Sequence, residues 1–173
     1  MKKITTSCLT AFIVLTLFTV SCKKISYSDI GESISLQKNL IGNWKLDSII
    51  QFDQTAVDKG FPAFVQRLNI TTLFPYNTVS VKFTDAGTGT AGTYAFTNPG
   101  NAPLFVAPSG NYSFFDNGGS ERLKLVGTSR TDSIDFAKAF RASDNKLALR
   151  YNRAFFTGTK KVFVYYDFNF SRN

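Results

Sequence analysis

The sequence predicts an all-β fold, an eight-stranded antiparallel up-and-down barrel with one short helix after the first strand. Eight short segments alternate apolar and polar residues, which is the pattern of a strand with one buried face. Residues that favour tight turns separate most of these segments, so strands that are consecutive in the chain are expected to pair. A twisted sheet of eight strands hides a single apolar face by closing on itself. A two-sheet sandwich is the alternative for the same strand count.

The chain begins with the features of a secretory signal. A positively charged start precedes an apolar stretch, residues 8–20, that is too short to span a bilayer. A small residue then stands directly before Cys22, which resembles the lipobox of bacterial lipoproteins, with Thr19 where leucine is commonest. The resemblance implies a signal peptide over residues 1–21 and an acylated Cys22, carrying palmitate-type chains, that holds the protein on a membrane. An uncleaved anchor, or an ordinary signal peptide with a chance cysteine, is the alternative.

Cleavage before Cys22 defines the mature chain. Removing 21 of the 173 residues leaves 152, enough for one domain with a sizeable core. Cys8 leaves with the signal and acylation uses Cys22, so the mature chain keeps no thiol for a disulfide or a nucleophile. Lys23 and Lys24 follow the acylation site without the acidic cluster that directs some relatives to the cell surface. We therefore expect attachment to the outer membrane, on its periplasmic face.

The net charge does not indicate nucleic acid as a partner. The full chain carries +8, and loss of the two signal lysines leaves +6. No basic run is interleaved with aromatic residues, and export separates the protein from the cell's nucleic acid. The basic residues are scattered over the predicted strand faces, which indicates solvated faces near an anionic membrane. No feature of the sequence indicates a partner subunit, so we expect a monomer.

A polar tether, residues 22–38, is predicted to precede the barrel domain, residues 39–173. A short helical turn is expected at residues 35–41, and the strand that follows holds the only tryptophan. The connection over residues 52–77 is long, and a proline at position 62 predicts one short helix directly after it. One parity of the first strand carries most of its apolar residues and is predicted to face inward: Trp44, Leu46, Ser48 and Ile50.

Seven further strands complete the barrel. Tight turns are expected at residues 85–89, Asn117-Gly118-Gly119, Asp144-Asn145 and 157–159, where Asn and Gly tolerate positive φ. A Pro- and Gly-rich loop over residues 98–110 carries an apolar tip at residues 104–106. The seven strands contain, in order, Val79, Tyr94, Tyr112, Leu123, Phe136, Leu149 and Val164.

Gly42-Asn43-Trp44, at the head of the first of eight strands, resembles the Gly-x-Trp signature of lipocalins. With the lipobox and the tether, it is similar to lipocalin-like lipoproteins of Bacteroidetes-type bacteria. The resemblance implies that Gly42 and Trp44 seal the closed end, that residues 52–77 form a lid, and that the lipocalin-like barrel holds a cavity for small apolar ligands. Two features depart from the pattern: residues 142–145 replace a Thr-Asp-Tyr-type motif, and the late arginine that stacks on the tryptophan has only Arg172 as a candidate.

The sequence offers little catalytic chemistry. It contains no histidine, which removes Ser-His-Asp triads, the usual imidazole base and the commonest zinc ligand. It also contains no phosphate-binding loop or dinucleotide glycine pattern. Asp132 and Asp135 are conceivable as paired carboxylates, but they flank a turn and are predicted to face water. We therefore expect a protein that is not an enzyme and has neither a cofactor nor a metal site.

Aromatic residues are the most informative part of the composition. The mature chain keeps 16 Phe, 7 Tyr and 1 Trp in its 152 residues. Lys138 shares the parity of Ile134, Phe136 and Phe140, so it nominally faces inward, where it would bind a ligand carboxylate; the alternative is that it reaches out to water. The candidate pocket residues are Tyr94, Tyr112, Phe114, Phe136, Lys138, Tyr151, Tyr166 and Phe168; the alternative is that the aromatics simply fill the barrel.

Two functions stay open at this point. The first is a lipid-anchored barrel that binds a small apolar or amphipathic ligand. The second is an interaction, inhibitor or accessory module of the cell envelope, with a filled barrel and no enzymatic activity. A cavity of several hundred Å³ would favour the first, whereas a filled interior with an exposed apolar loop surface would favour the second.

Overall fold

The computed structural model describes residues 36–115, 122–140, 145–157 and 159–173. Cys22, the turn at Asn117-Gly118-Gly119 and Asp144 lie outside the described residues. The elements before the first hairpin are α1 (Leu36–Leu40), β1 (Gly42–Asp53), α2 (Gln54–Asp58), α3 (Ala63–Gln66), β2 (Arg67–Asn69) and a 3₁₀ turn (Tyr76–Thr78). The remaining strands are β3 (Ser80–Asp85), β4 (Ala91–Thr97), β5 (Ser109–Phe114), β6 (Arg122–Gly127), β7 (Thr131–Phe136), β8 (Lys146–Thr157) and β9 (Thr159–Arg172).

Eight of the strands form a closed antiparallel barrel. Strands β3 to β9 pair in chain order, β1 pairs with β3, and β1 also pairs with β9, which closes the sheet. This confirms the predicted up-and-down barrel of eight strands. The short strand β2 is an addition that the sequence did not indicate, because its three residues are all exposed and show no alternation. It pairs only with Ile50–Phe52 at the far end of β1.

A β-bulge in β1 corrects one prediction. Leu46 pairs with Phe170 and Ser48 with Asn169, so the register shifts at Asp47. Trp44 and Leu46 face the core as expected, but Ile49 is buried in place of Ser48 and Ile50. The predicted inward parity is therefore wrong beyond Leu46, because one extra residue in a strand moves every later side chain to the opposite face.

Helix α1 belongs to the barrel domain, so the folded part includes residues that the sequence assigned to the tether. The Gln37 amide donates to Asp85 Oδ1 at 2.5 Å and to the Ala91 carbonyl at 3.0 Å, across the β3–β4 hairpin. Leu40 is fully buried beneath the helix. These contacts cover one end of the barrel, which we call the closed end; the opposite end, where the β1–β3 connection lies, is the open end.

The β1–β3 connection contains more structure than predicted. The expected helix after Pro62 is present as α3, and α2 precedes it, begun by the Asp53 carboxylate, which accepts from the Ala56 amide at 2.9 Å. Ile70 and Tyr76 turn inward and are buried. The connection thus reaches the rim of the barrel through a few side chains, while most of its apolar residues stay outside.

Candidate functional site

The closed end is held by a stack of Arg172 on Trp44. The guanidinium carbon lies 4.4 Å from the indole centroid, and the same guanidinium donates to the carbonyls of Ile41 at 3.1 Å and Asn39 at 2.6 Å. The Trp44 indole N–H donates to the Leu40 carbonyl at 2.8 Å. Arg172 therefore occupies the position for which it was the only candidate, and this end of the barrel is sealed.

Gly42 is required where the chain enters the barrel. Its φ of +133° lies in the region that favours glycine, and a Cβ there would approach Arg172 Nη1 to 2.9 Å. The sequence-based assignment of Gly42 to this turn agrees with the geometry. The closed end has a structural role, which leaves the interior and the open end as candidate functional sites.

The barrel interior is filled by aromatic side chains. Most predicted pocket residues are indeed inside: Tyr94, Tyr112, Phe114, Phe136, Tyr166 and Phe168 are buried, and Tyr151 is partly buried against them. They pack on one another; Phe114 and Phe136, for example, stack with centroids 6.4 Å apart. The alternative that these residues fill the barrel is the one that the packing favours.

Two glycines stand opposite buried tyrosines on strands β4 and β5. Gly92 pairs with Tyr112 across β4 and β5, and Tyr94 pairs with Gly110 on the same two strands. A Cβ on Gly92 would lie 2.7 Å from the Tyr112 ring and 1.8 Å from a backbone oxygen. The Tyr112 ring thus lies over a strand neighbour that lacks a side chain and fills the volume that a side chain at position 92 would take.

The mouth of the barrel, at the open end, is occupied by Phe105 from the β4–β5 loop. Its ring stacks on Tyr166 with centroids 4.1 Å apart and contacts Tyr151 and Phe168. The cavity beneath it measures about 20 Å³, room for about one water molecule, and its lining is apolar: Phe96, Leu104, Phe105, Val106, Ile134, Leu149, Phe168 and Phe170. The apolar tip that the sequence placed on a loop is therefore a plug, and it closes the mouth in place of the expected lid.

The plug loop is fixed to its surroundings by hydrogen bonds. The Asn98 side chain donates to the Ala102 carbonyl at 2.7 Å and accepts from the Ala102 amide at 2.9 Å. The Tyr76 hydroxyl donates to the Pro103 carbonyl at 3.0 Å, which joins the plug loop to the β1–β3 connection. The buried Tyr76 therefore holds the plug loop against the β1–β3 connection.

A polar cluster lies inside the mouth, next to the plug. Asp132 is 9% exposed, because it shares the inward parity of β7 with Ile134 and Phe136. One carboxylate oxygen accepts from Arg130, whose guanidinium also reaches the Tyr151 hydroxyl at 3.3 Å. The prediction that Asp132 faces water is wrong. Asp135, three residues later and on the other face of β7, does face outward and pairs with Arg122. Strand β7 begins at Thr131, so the parity that Asp132 shares with Ile134 and Phe136 is the signal that could have placed it inside.

Two polar atoms of this cluster have no partner among the described residues: Asp132 Oδ2 and the Tyr94 hydroxyl. Burial raises the pKa of Tyr94, the charge of Asp132 raises it further, and Arg130 lowers it. The phenol therefore keeps its proton at neutral pH and is a potential hydrogen-bond donor in an apolar surround. An unpaired buried polar group costs roughly 1–3 kcal/mol, so a ligand that hydrogen-bonds to these two atoms would recover that free energy.

Lys138 does not belong to the interior. It follows the end of β7, and its side chain is exposed, whereas its parity neighbours Ile134, Phe136 and Phe140 are buried. The inward expectation is wrong because the strand ends at Phe136 and the alternation ends with it. Lys138 instead borders an outer cleft of about 300 Å³ beside Asp47, Lys146 and Asn169.

Six large apolar side chains of the β1–β3 connection are exposed, and we call them the open-end surface. Phe64 is 83% exposed on the four-residue helix α3, and Leu73 is 62% exposed in the turn before Tyr76. Monomeric proteins rarely leave such a group of large apolar residues in water without a use. The full set is Phe61, Phe64, Val65, Leu68, Leu73 and Phe74.

No protein-family model matches the sequence, and no curated protein matches it significantly. Within the described ranges, no group of three or more acidic or cysteine side chains is placed to hold a metal ion. No helix in the same part of the chain is long and apolar enough to cross a membrane. The fold and the two features of the open end, plug and exposed surface, therefore carry the functional argument.

Proposed function

We propose that this protein is a non-enzymatic interaction module of the cell envelope, lipid-anchored through Cys22 to the periplasmic face of the outer membrane. The barrel is a filled scaffold, and the open-end surface makes the functional contact. The observation that carries the proposal is the pairing of an interior cavity of about 20 Å³ with six exposed large apolar side chains on one connection. A binding barrel would show the reverse, a cavity of several hundred Å³ and a polar rim.

The sequence supports the location and the lack of catalysis. The lipobox-like Thr19-Val20-Ser21-Cys22 supplies an anchor, and the absence of histidine removes the commonest general base. Fatty-acid labelling of the protein in cells is expected to be lost in Cys22→Ala. Labelling that is unchanged in that variant would refute the anchor.

The working surface is tested by cysteine accessibility in cells. The mature chain has no free thiol once Cys22 is acylated, so one introduced cysteine reports on one position. We expect Leu73→Cys to react with a water-soluble maleimide at least five-fold more slowly in cells than in the purified protein. Lys124→Cys, exposed on the wall of β6, is the matched control and is expected to react equally in both. Equal rates at both positions would refute the proposed surface.

A second candidate function, binding of one small amphiphile in the mouth, is favoured by the unpaired Asp132 Oδ2 and Tyr94 hydroxyl. A ligand would displace the Phe105 ring from Tyr166 and donate a hydrogen bond to the carboxylate. Because Arg130 already neutralises Asp132, a neutral hydroxyl or amide head fits this cluster better than an ammonium group. Native mass spectrometry of the lipidated protein with added 1-dodecanol decides between the two candidates.

A further inference from the structure

We infer that the open-end surface docks on the lipid bilayer itself, so that the protein contacts the membrane at two points, the acylated Cys22 and the side chains around Phe64 and Leu73. The inference rests on the proposed function, since it names the partner of the same surface. It adds an orientation: the open end faces the membrane, although the tether leaves from α1 at the closed end.

The shape of the surface favours a bilayer over a protein groove. Its two most exposed members stand on short elements: Phe64 on a helix of four residues and Leu73 in a turn. A protein partner would have to supply fitted pockets for each of these side chains, because binding energy at protein interfaces concentrates on anchors in packed pockets. A bilayer interface accepts protruding aromatic and aliphatic side chains without any fitted pocket.

The charges around the surface allow this contact. Between β1 and β3 the charged side chains are Asp58, Lys59 and Arg67, and their sum is +1. Lys59 lies 5.9 Å from the Phe61 ring centroid, so a cation accompanies an apolar member of the surface. The connection thus meets no charge barrier at an anionic membrane, and the excess positive charge of the whole mature chain is attracted to one.

The tether is long enough for the barrel to turn its open end to the membrane. Residues 23–35 separate Cys22 from α1, and 13 residues reach at most about 43 Å when extended. Strand β9 has 14 residues, and at the tilt of a small barrel this gives a height of about 35 Å. The extended length of the tether therefore exceeds the height of the barrel, and anchoring keeps the surface at high local concentration beside the lipid.

Depth-dependent fluorescence quenching tests the docking. The full lipidated protein is reconstituted in vesicles of phosphatidylethanolamine and phosphatidylglycerol that contain spin-labelled lipid, with a single fluorophore at one introduced cysteine. Three positions are compared: Leu73→Cys on the open-end surface, Lys124→Cys on the wall, and Thr88→Cys on the closed-end hairpin. We expect lipid quenching at position 73 to exceed that at 124 and 88 by at least three-fold.

Each other outcome overturns the inference in a distinguishable way. Strong quenching at position 88 alone would mean that the closed end faces the membrane. Protection of position 73 in cells without lipid quenching in vesicles would leave the proposed function standing and identify a protein partner, or a second copy of this chain, as the occupant. Quenching at position 73 that persists unchanged in Phe64→Ser/Phe74→Ser would show that the apolar side chains do not cause the contact.

Discussion

Two buried tyrosines of the open end, Tyr76 and Tyr94, are predicted to respond in opposite directions to loss of their hydroxyl groups. Tyr76 is 1% exposed and donates to the Pro103 carbonyl at 3.0 Å, whereas Tyr94 is 2% exposed and its hydroxyl has no partner among the described residues. Replacement of either tyrosine by phenylalanine keeps the ring and removes only the hydroxyl. The pair therefore forms a matched experiment.

The magnitudes follow from the cost of making or missing a hydrogen bond. Tyr76→Phe loses a bond with a net value of about 1 kcal/mol, and it leaves the Pro103 carbonyl to find another partner. Tyr94→Phe removes a buried group that is unsatisfied, so the free energy of unfolding is expected to stay the same or to rise by up to about 1 kcal/mol. The two variants should therefore differ by about 1 to 2 kcal/mol.

Urea unfolding of the wild type and both variants, followed by tryptophan fluorescence, measures this difference. At an m-value of about 2 kcal/mol per M, the upper value of about 2 kcal/mol appears as a shift of about 1 M between the two midpoints. A midpoint that falls as much in Tyr94→Phe as in Tyr76→Phe would contradict this prediction. That result would mean that the Tyr94 hydroxyl is bonded in solution, and it would favour a ligand or an ordered water in the mouth.

Three further predictions concern the closed end, the packing and the response to pH. Arg172→Ala is expected to lower the free energy of unfolding by about 2 kcal/mol, because it removes the stack on Trp44 and two carbonyl partners; Arg172→Lys should restore less than half. Gly92→Ala places a Cβ 1.8 Å from the Thr84 carbonyl oxygen and should destabilise the barrel by more than about 3 kcal/mol, with wild-type stability contradicting the close approach. Alkaline pH should unfold the protein: the fold raises the pKa of four tyrosines from 10.0, chiefly by burial, so the folded state holds protons that the unfolded chain releases. The four tyrosines are Tyr76, Tyr94, Tyr112 and Tyr165. Their contribution to the free energy of unfolding is fully present below about pH 10 and is lost as pH rises through their folded pKa values. A urea midpoint that stays constant up to pH 11 would contradict this prediction.

The barrel was predictable because alternation and turn residues report directly on strands and their neighbours. The predicted facing of side chains was wrong at positions where a single residue changes or ends the strand alternation. The bulge at Asp47 moves Ile49 inward. The alternation of apolar and polar residues in the sequence does not show where a bulge inserts an extra residue. Lys138 failed for the related reason that a strand end has no strong signal, so alternation was extended two residues too far.

The interior chemistry was predictable in membership but not in arrangement. Sequence parity identified the aromatic residues that lie inside, yet it could not say that Phe105 would fold back onto Tyr166 and fill the mouth, because the path of a loop depends on contacts remote in sequence. Asp132 shows the opposite error. It was predicted to flank a turn and face water, in keeping with the general rule that carboxylates avoid burial, whereas β7 begins at Thr131, turns Asp132 inward and leaves Arg130 two residues earlier to pair with it.

The open-end surface illustrates a third limit. The lipocalin resemblance implied that residues 52–77 form a lid over the barrel mouth. The connection does cover the rim through Tyr76, but Phe64 and Leu73 point away from the barrel. Whether an apolar residue of a loop faces the core or the solvent is decided by where its turns fall, and these turns depend on pairings such as β1 with β2.

We propose that the barrel is filled by its own side chains and that its outer surface makes the functional contact. Native mass spectrometry of the lipidated protein, released from detergent, tests this most directly, with Phe105→Ala as the opened control and 1-dodecanol as the added probe. We predict that the wild type has the mass of the acylated chain alone and binds no dodecanol, whereas Phe105→Ala binds one molecule. A small molecule that co-purifies with the wild type in equal stoichiometry, or dodecanol that binds both proteins alike, would contradict the account.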